Sequence, residues 1–292
     1  MTYYDSYVLS GNISRLILDI GVFLLSDKYK QAVRATGSIV CVGLDPDQTK
    51  LPEHLRDTST PYFEFCRQIV DATAVNACAF KPQFAHFAAV GKEAELELLL
   101  HYIAAEYPNH LSILDAKRGD IGSTAAFYAQ EAFARYKADA VTVNPYLGEE
   151  ALTPFLAHSA HGIVVLCRTS NASSDELQNY GQPPVYEKVV EMVQRLNTDG
   201  QCMLVTGATH PEELASIRQL APTLPFLVPG IGAQGGDLQA VMQAGLDAEG
   251  EGLLISSSRA IIYAGTDGQF ASAAGQAAQA LKNSIIEIKK SI

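Results

Sequence analysis

Short apolar runs alternate with longer amphipathic stretches along most of the chain. The runs fall at 38–44, 77–81, 111–117, 140–144, 162–168, 201–206, 226–230 and 252–256, and they are rich in Val, Ile, Leu and Cys. Little polar alternation interrupts them, which predicts strands buried on both faces, as in a parallel sheet. The stretches 62–74, 92–106, 121–136, 149–157, 184–197, 211–220, 237–244 and 270–289 carry helical spacing, with Pro184 and Pro211 suited to a first turn. Eight strand–helix units in unbroken rhythm predict an α/β fold, a single (β/α)8 TIM barrel. A doubly wound sheet is the alternative, and it accommodates eight continuous units less well. An extra N-terminal helix is expected at 26–36, closing the barrel bottom. No low-complexity linker divides the chain. We therefore expect an N-terminal extension of ambiguous pattern, residues 1–25, followed by a catalytic barrel, residues 26–292.

In such a barrel the chemistry gathers at the C-terminal ends of the strands. The segment Asp115-Ala116-Lys117-Arg118-Gly119-Asp120 follows the apolar run Leu111-Ser112-Ile113-Leu114. On a strand, residues two apart point to one side, so Asp115 and Lys117 are expected to project together. Such charges are costly to desolvate unless paired. Lys81 ends the second run, and with Asp120 it completes a possible alternating array of two lysines and two aspartates. An ordinary ion pair at the sheet rim is the bland alternative. Asp45 ends the first run, Gln83 follows the second, and the fourth ends at Asn144 and Tyr146. Arg168, Thr169, Ser170 and Asn171 close the fifth, and Thr206, Gly207 and Thr209 the sixth.

The seventh and eighth strand ends differ in character. Gly230-Ile231-Gly232-Ala233-Gln234-Gly235-Gly236 would let backbone N–H groups approach an anion closely, ahead of a helix N-terminus. Arg259, after Ser256-Ser257-Ser258, supplies a permanent cation able to grip phosphate with two N–H groups. Loops seven and eight are the recurrent phosphate site of this fold.

Composition narrows the partners. The net charge of −11 argues against a broad nucleic-acid surface, which needs clustered Lys and Arg. No run is long and apolar enough to predict a membrane span, and 16–25 lacks the flanks of a secretory signal. The five cysteines form no Cys-x-x-Cys pattern and mostly lie in apolar runs, which predicts reduced, buried thiols in a cytoplasmic protein. His158 and His161 are three apart, but a metal site would need ligands from a second region, so no metal is expected.

Five segments, taken in order, carry a family resemblance. They are Val42-Gly43-Leu44-Asp45-Pro46, Phe80-Lys81-Pro82, Leu114-Asp115-Ala116-Lys117-Arg118-Gly119-Asp120-Ile121, Pro229 to Gly236, and Ser258-Arg259. From about residue 38 to 265 the sequence resembles orotidine 5′-phosphate decarboxylase, and in particular its longer bacterial (type 2) subfamily. The resemblance implies a homodimer with shared active sites that needs no metal or organic cofactor. Its substrate would be orotidine 5′-monophosphate and its product UMP. It further implies Lys117 as proton donor to C6, Asp115 beside the leaving carboxylate, and Lys81 linking Asp115 with the ribose hydroxyls. Asp120, Ile121 and Thr124 would reach into the neighbouring subunit's site. Asp45 would bind ribose, Ser170 the pyrimidine, and Gln234, Gly235 and Arg259 the phosphate, with Thr169 competing with its neighbour Ser170. Residues 1–25 match no part of this pattern.

Two rival readings fit parts of the same pattern. A sugar-phosphate decarboxylase or aldolase on the same barrel would use Mg²⁺ at a similar Asp-x-Lys-x-x-Asp motif, where Lys81 would repel the cation. A catalytically silent phosphate-binding barrel would be expected to have a broken Lys/Asp array, and here the array is intact.

Overall fold

The computed structural model describes residues 24–231 and 236–292. Residues 1–23 of the expected extension lie outside the described residues. Eight parallel strands close into a barrel in chain order. They are β1 (Val40–Leu44), β2 (Ala79–Pro82), β3 (Leu111–Arg118), β4 (Ala140–Val143), β5 (Gly162–Arg168), β6 (Cys202–Thr206), β7 (Phe226–Pro229) and β8 (Leu253–Ser257). Every residue of β1, β6 and β8 is buried, as strands must be when side chains fill the inside of the ring and helices cover the outside. The ring closes where Val42 pairs with Ser257.

The main helices are α1 (Leu25–Thr36), α2 (Pro61–Thr73), α3 (Glu93–Glu106), α4 (Gly122–Gln130), α5 (Val185–Leu196), α6 (Pro211–Leu220), α7 (Leu238–Gly245) and α8 (Phe270–Ser291). The extra helix α1 does lie across the barrel bottom. Its Lys28 pairs with Asp139 just ahead of β4, and its Tyr29 hydroxyl donates to the Leu253 carbonyl and accepts from the Gly252 N–H. All five cysteines are free and buried, on β1, α2, β5, β6 and just ahead of β2.

Two helices differ from expectation. The expected helix 149–157 breaks into a 3₁₀ turn, Glu149–Ala151, and a four-residue helix, Thr153–Leu156. Pro154 has no N–H and fits only a first turn, so the helix restarts there. The expected helix 121–136 is α-helical over α4 and then widens into a π turn, Glu131–Arg135, in which the Tyr136 N–H reaches back five residues to the Glu131 carbonyl.

Candidate active site

At the C-terminal mouth of the barrel, the Asp115 carboxylate is the centre of a bonded cluster. Lys81 Nζ donates to Oδ2 at 2.7 Å and Lys117 Nζ to Oδ1 at 2.6 Å. Gln83 Nε2 donates to Oδ2 at 3.1 Å and the Thr142 hydroxyl to Oδ1 at 2.9 Å. The carboxylate is buried, with 8% of the side chain exposed, and burial alone would raise its pKa. The Lys81 and Lys117 cations outweigh that and hold it well below the usual carboxylate range. Burial would likewise lower Lys81, but Asp115 and then Asp45 hold it above the ordinary lysine value. The side chain of Lys117 is 49% exposed and therefore faces the open cleft, whereas Lys81 lies beneath it at 8%.

Asp115 and Lys117 meet as expected, but not through regular strand geometry. Ile113 and Leu114 pair with Ala140 and Val141 on β4, and then the register shifts so that Arg118 pairs with Val143. The residues between sit opposite Thr142 alone. Lys117 occupies the left-handed region at φ 48, which is uncommon for a residue with a side chain. Thr142 spans the bulge: its hydroxyl oxygen accepts from the Lys117 N–H at 2.9 Å while its proton goes to Asp115. Thr142 leaves only a faint trace in the sequence, one hydroxyl inside the buried run Ala140-Val141-Thr142-Val143, and Asn144 at the end of that run is the more conspicuous polar residue.

The ribose candidate Asp45 accepts from the Ser258 hydroxyl at 2.6 Å through Oδ2. Its Oδ1 is buried and has no partner among the described residues. A cavity of about 220 Å³ runs from Asp45, Lys81 and Asp115 to Gly230, Ser257 and Arg259. A neighbouring cavity of about 240 Å³ shares Lys81 and Asp115 and extends to Lys117, Thr142 and Ser170. One cleft thus connects the charged cluster with both the fifth-strand loop and the phosphate candidate Arg259.

Gln234 and Gly235 lie outside the described residues. Ser170 and Thr169 both line the second cavity, and the Thr169 hydroxyl donates to Asn171 Oδ1 at 2.6 Å and accepts from Gln178 Nε2 at 2.8 Å. Gly207 lets Ser170 come close, since a Cβ there would stand 2.7 Å from its N. Arg168 does not face the cleft. Its buried guanidinium binds Ser174, Asp175, Glu213 and His210, tying the fifth-strand loop to α6.

Asp120 does not join the cluster of its own chain. Its carboxylate accepts from the Ile121 N–H at 2.8 Å. Ile121 and Thr124 are exposed beside it, and Phe127 on α4 is 70% exposed. His161 bonds the Ala138 carbonyl and stacks on Phe133, and His158 packs on the same ring.

Comparison with known proteins places this architecture among relatives. The sequence model described as "Orotidine 5'-phosphate decarboxylase / HUMPS family" matches residues 38–274. A Ralstonia pickettii (strain 12J) protein named orotidine 5′-phosphate decarboxylase is 51% identical over 267 residues, covering 90% of this chain and 98% of that protein. A Janthinobacterium sp. (strain Marseille) protein of the same name is 52% identical over 249 residues, covering 84% and 92%. Among solved structures, the OMP decarboxylase of Leishmania donovani superposes with a TM-score of 0.78 at 37% identity, covering 90% of this chain and 99% of that one. The UMP synthase of the same organism gives 0.80 at 37%, with 91% of this chain matching 56% of that longer one.

Proposed function

The chain belongs to the orotidine 5′-phosphate decarboxylase family, and we propose on that premise how its barrel mouth converts orotidine 5′-monophosphate to UMP and CO2. This is a step of pyrimidine biosynthesis. The observation that carries the mechanistic reading is the bonded chain Lys81–Asp115–Lys117 on the floor of the cleft.

Loss of CO2 from C6 leaves an electron pair in the ring plane, where the ring π-system cannot absorb it. The site must work through electrostatics and proton delivery. Asp115 lies beside the substrate carboxylate and opposes it. Two unit charges about 4 Å apart interact by roughly 4 kcal/mol at an effective dielectric of 20. That is worth about three powers of ten, whereas large enzymatic accelerations need as much as roughly 23 kcal/mol. Repulsion is therefore a minor share. Lys117, exposed to the cleft, stabilises the developing carbanion with its ammonium and then passes one proton to C6. Asp115 survives as a carboxylate because two lysines, a threonine and a glutamine satisfy it.

The rest of the substrate supplies binding energy. Arg259 takes the phosphate, the Asp45 carboxylate at the cavity wall accepts a ribose hydroxyl, and Ser170 meets the pyrimidine. Energy from these distant contacts is expressed in closure and water exclusion around C6. The half-buried Asp120, which bonds nothing in the cluster of its own chain, and the exposed Ile121 and Thr124 support a homodimer in which each subunit completes the other's site, with Phe127 buried between them.

The test is Lys117→Ala. Decarboxylation, followed as loss of substrate absorbance, is expected to vanish while UMP binding persists in calorimetry. Retention of more than a few per cent of wild-type activity would remove Lys117 from the proton-donor role.

A further inference from the structure

Arg118 follows Lys117 directly, and none of the roles above uses it. Its guanidinium lies between two rings, 4.2 Å from the centroid of Phe84 and 4.7 Å from that of Tyr128. Edge-on, it makes a two-pronged bond to Glu131, Nε to Oε2 at 2.9 Å and Nη2 to Oε1 at 3.0 Å. Phe84 comes from the short helix that follows β2. Tyr128 sits on α4 and Glu131 opens the π turn, so they lie three residues apart on one helical face. The short helix after β2, together with α4 and the π turn that continues it, thus closes on one planar cation, whose flat fork suits stacking and bidentate pairing at once.

The place of this clamp matters more than its strength. Arg118 is where the ladder resumes after the bulge: it pairs with Val143, and its carbonyl accepts from the Asn144 N–H at 2.7 Å. Lys117 is held at φ 48 immediately before it. Left to itself, a residue with a Cβ relaxes out of that region. Thr142 grips the bulge from the middle and the Arg118 clamp grips its far end. The Glu131 carboxylate also neutralises Arg118, so this cation does not compete with Lys117 for Asp115.

We propose that Arg118, clamped by Phe84, Tyr128 and Glu131, is a positioning residue that holds the bulge presenting the Lys117 amine to C6. The inference rests on Lys117 being the proton donor. Arg118→Lys keeps the charge but loses the flat fork, and Glu131→Gln keeps the shape but loses the charge. Each is expected to lower kcat about 10- to 100-fold, the scale of an ångström's misplacement of a reacting group. KM should stay within about threefold, because the phosphate and ribose contacts lie elsewhere. The double variant should be no worse than the poorer single one, since the pair acts as a unit.

All variants are compared at equal folded fraction, set by thermal unfolding and by stoichiometric UMP binding. A kcat within twofold of wild type in both single variants overturns the proposal. So does a fall in activity that tracks the folded fraction alone, or a rise in KM without a fall in kcat. If Arg118→Lys does not fold, Glu131→Gln and Tyr128→Leu carry the same test. Lys117→Ala is measured beside them. Substantial activity in that variant defeats the proton-donor reading itself, whereas a dead Lys117→Ala with fully active clamp variants defeats only the clamp.

Discussion

At the scale of single residues, the backbone of Lys117 and the charge of Asp115 set the chemistry. Lys117→Ala and Lys117→Gly remove the same amine, and both should be inactive. They differ in what they leave at a left-handed position. Alanine keeps a Cβ that costs roughly 1 kcal/mol or more there, and glycine has none. We expect Lys117→Gly to be more stable than Lys117→Ala by about 1 kcal/mol in urea unfolding, the reverse of the usual order. Equal stability would mean that the position is not left-handed in solution. Asp115 gives a prediction in pH. Its folded pKa is depressed, so its ion pairs stabilise the fold above about pH 4, the unfolded value, and that stability is lost as pH falls through the folded one. A carbon-13 titration of the Asp115 carboxyl should show no midpoint above about pH 4; one near 6 would refute the paired state.

At the scale of elements, β1 and β8 meet with no space to spare. A Cβ on Gly43 would stand 2.7 Å from Ser258 Cβ, and Ser258 holds Asp45. Gly43→Ala should push Ser258 aside at a cost of about 1–3 kcal/mol in stability. KM should rise more than kcat falls, as Asp45 loses its anchor. A KM unchanged in this variant would separate Asp45 from ribose binding. The strands themselves were legible because burial on both faces leaves an unmistakable apolar rhythm, and Asp45, Lys81 and Asp115 were legible because each is a charge at the end of such a run. The bulge in β3 was not legible. It arises from pairing with β4, and nothing in Asp115-Ala116-Lys117 announces a left-handed lysine. The π turn at Glu131 was hidden for the same reason, since Glu131-Ala132-Phe133-Ala134-Arg135 has ordinary helix-forming residues. The role of Arg118 is not legible in its motif, because its partners come from the short helix after β2 and from α4 with its π turn, which only folding brings together.

At the scale of the whole molecule, the two halves of the mouth hold different work. Strands β1 to β3 carry the ionisable cluster and β8 leads into Arg259. Asp120 belongs to neither within its own chain, which suits an isologous dimer. Mixing inactive Lys117→Ala with inactive Asp120→Ala should restore activity, because a hybrid dimer has one site with neither substitution. Random exchange makes about half the dimers mixed, so recovery should approach roughly a quarter of wild type. Demonstrated exchange without recovery would place Asp120's role within its own subunit.

The five buried thiols turn the barrel into a recorder of its own unfolding. Burial pushes Cys41 and Cys202 up to about 12 and the others upward as well, so none offers a thiolate to a reagent while the native packing holds. Labelling can proceed only through opening. Cys41 and Cys78 mark the first quarter of the ring, and Cys167 and Cys202 mark the third. A ring without a free edge has no strand that can peel away cheaply, so all four should alkylate at one common rate, read peptide by peptide in a mass spectrometer. If Cys167 and Cys202 react first, the barrel comes apart as two half-barrels, and the half that carries the charged cluster outlasts the other.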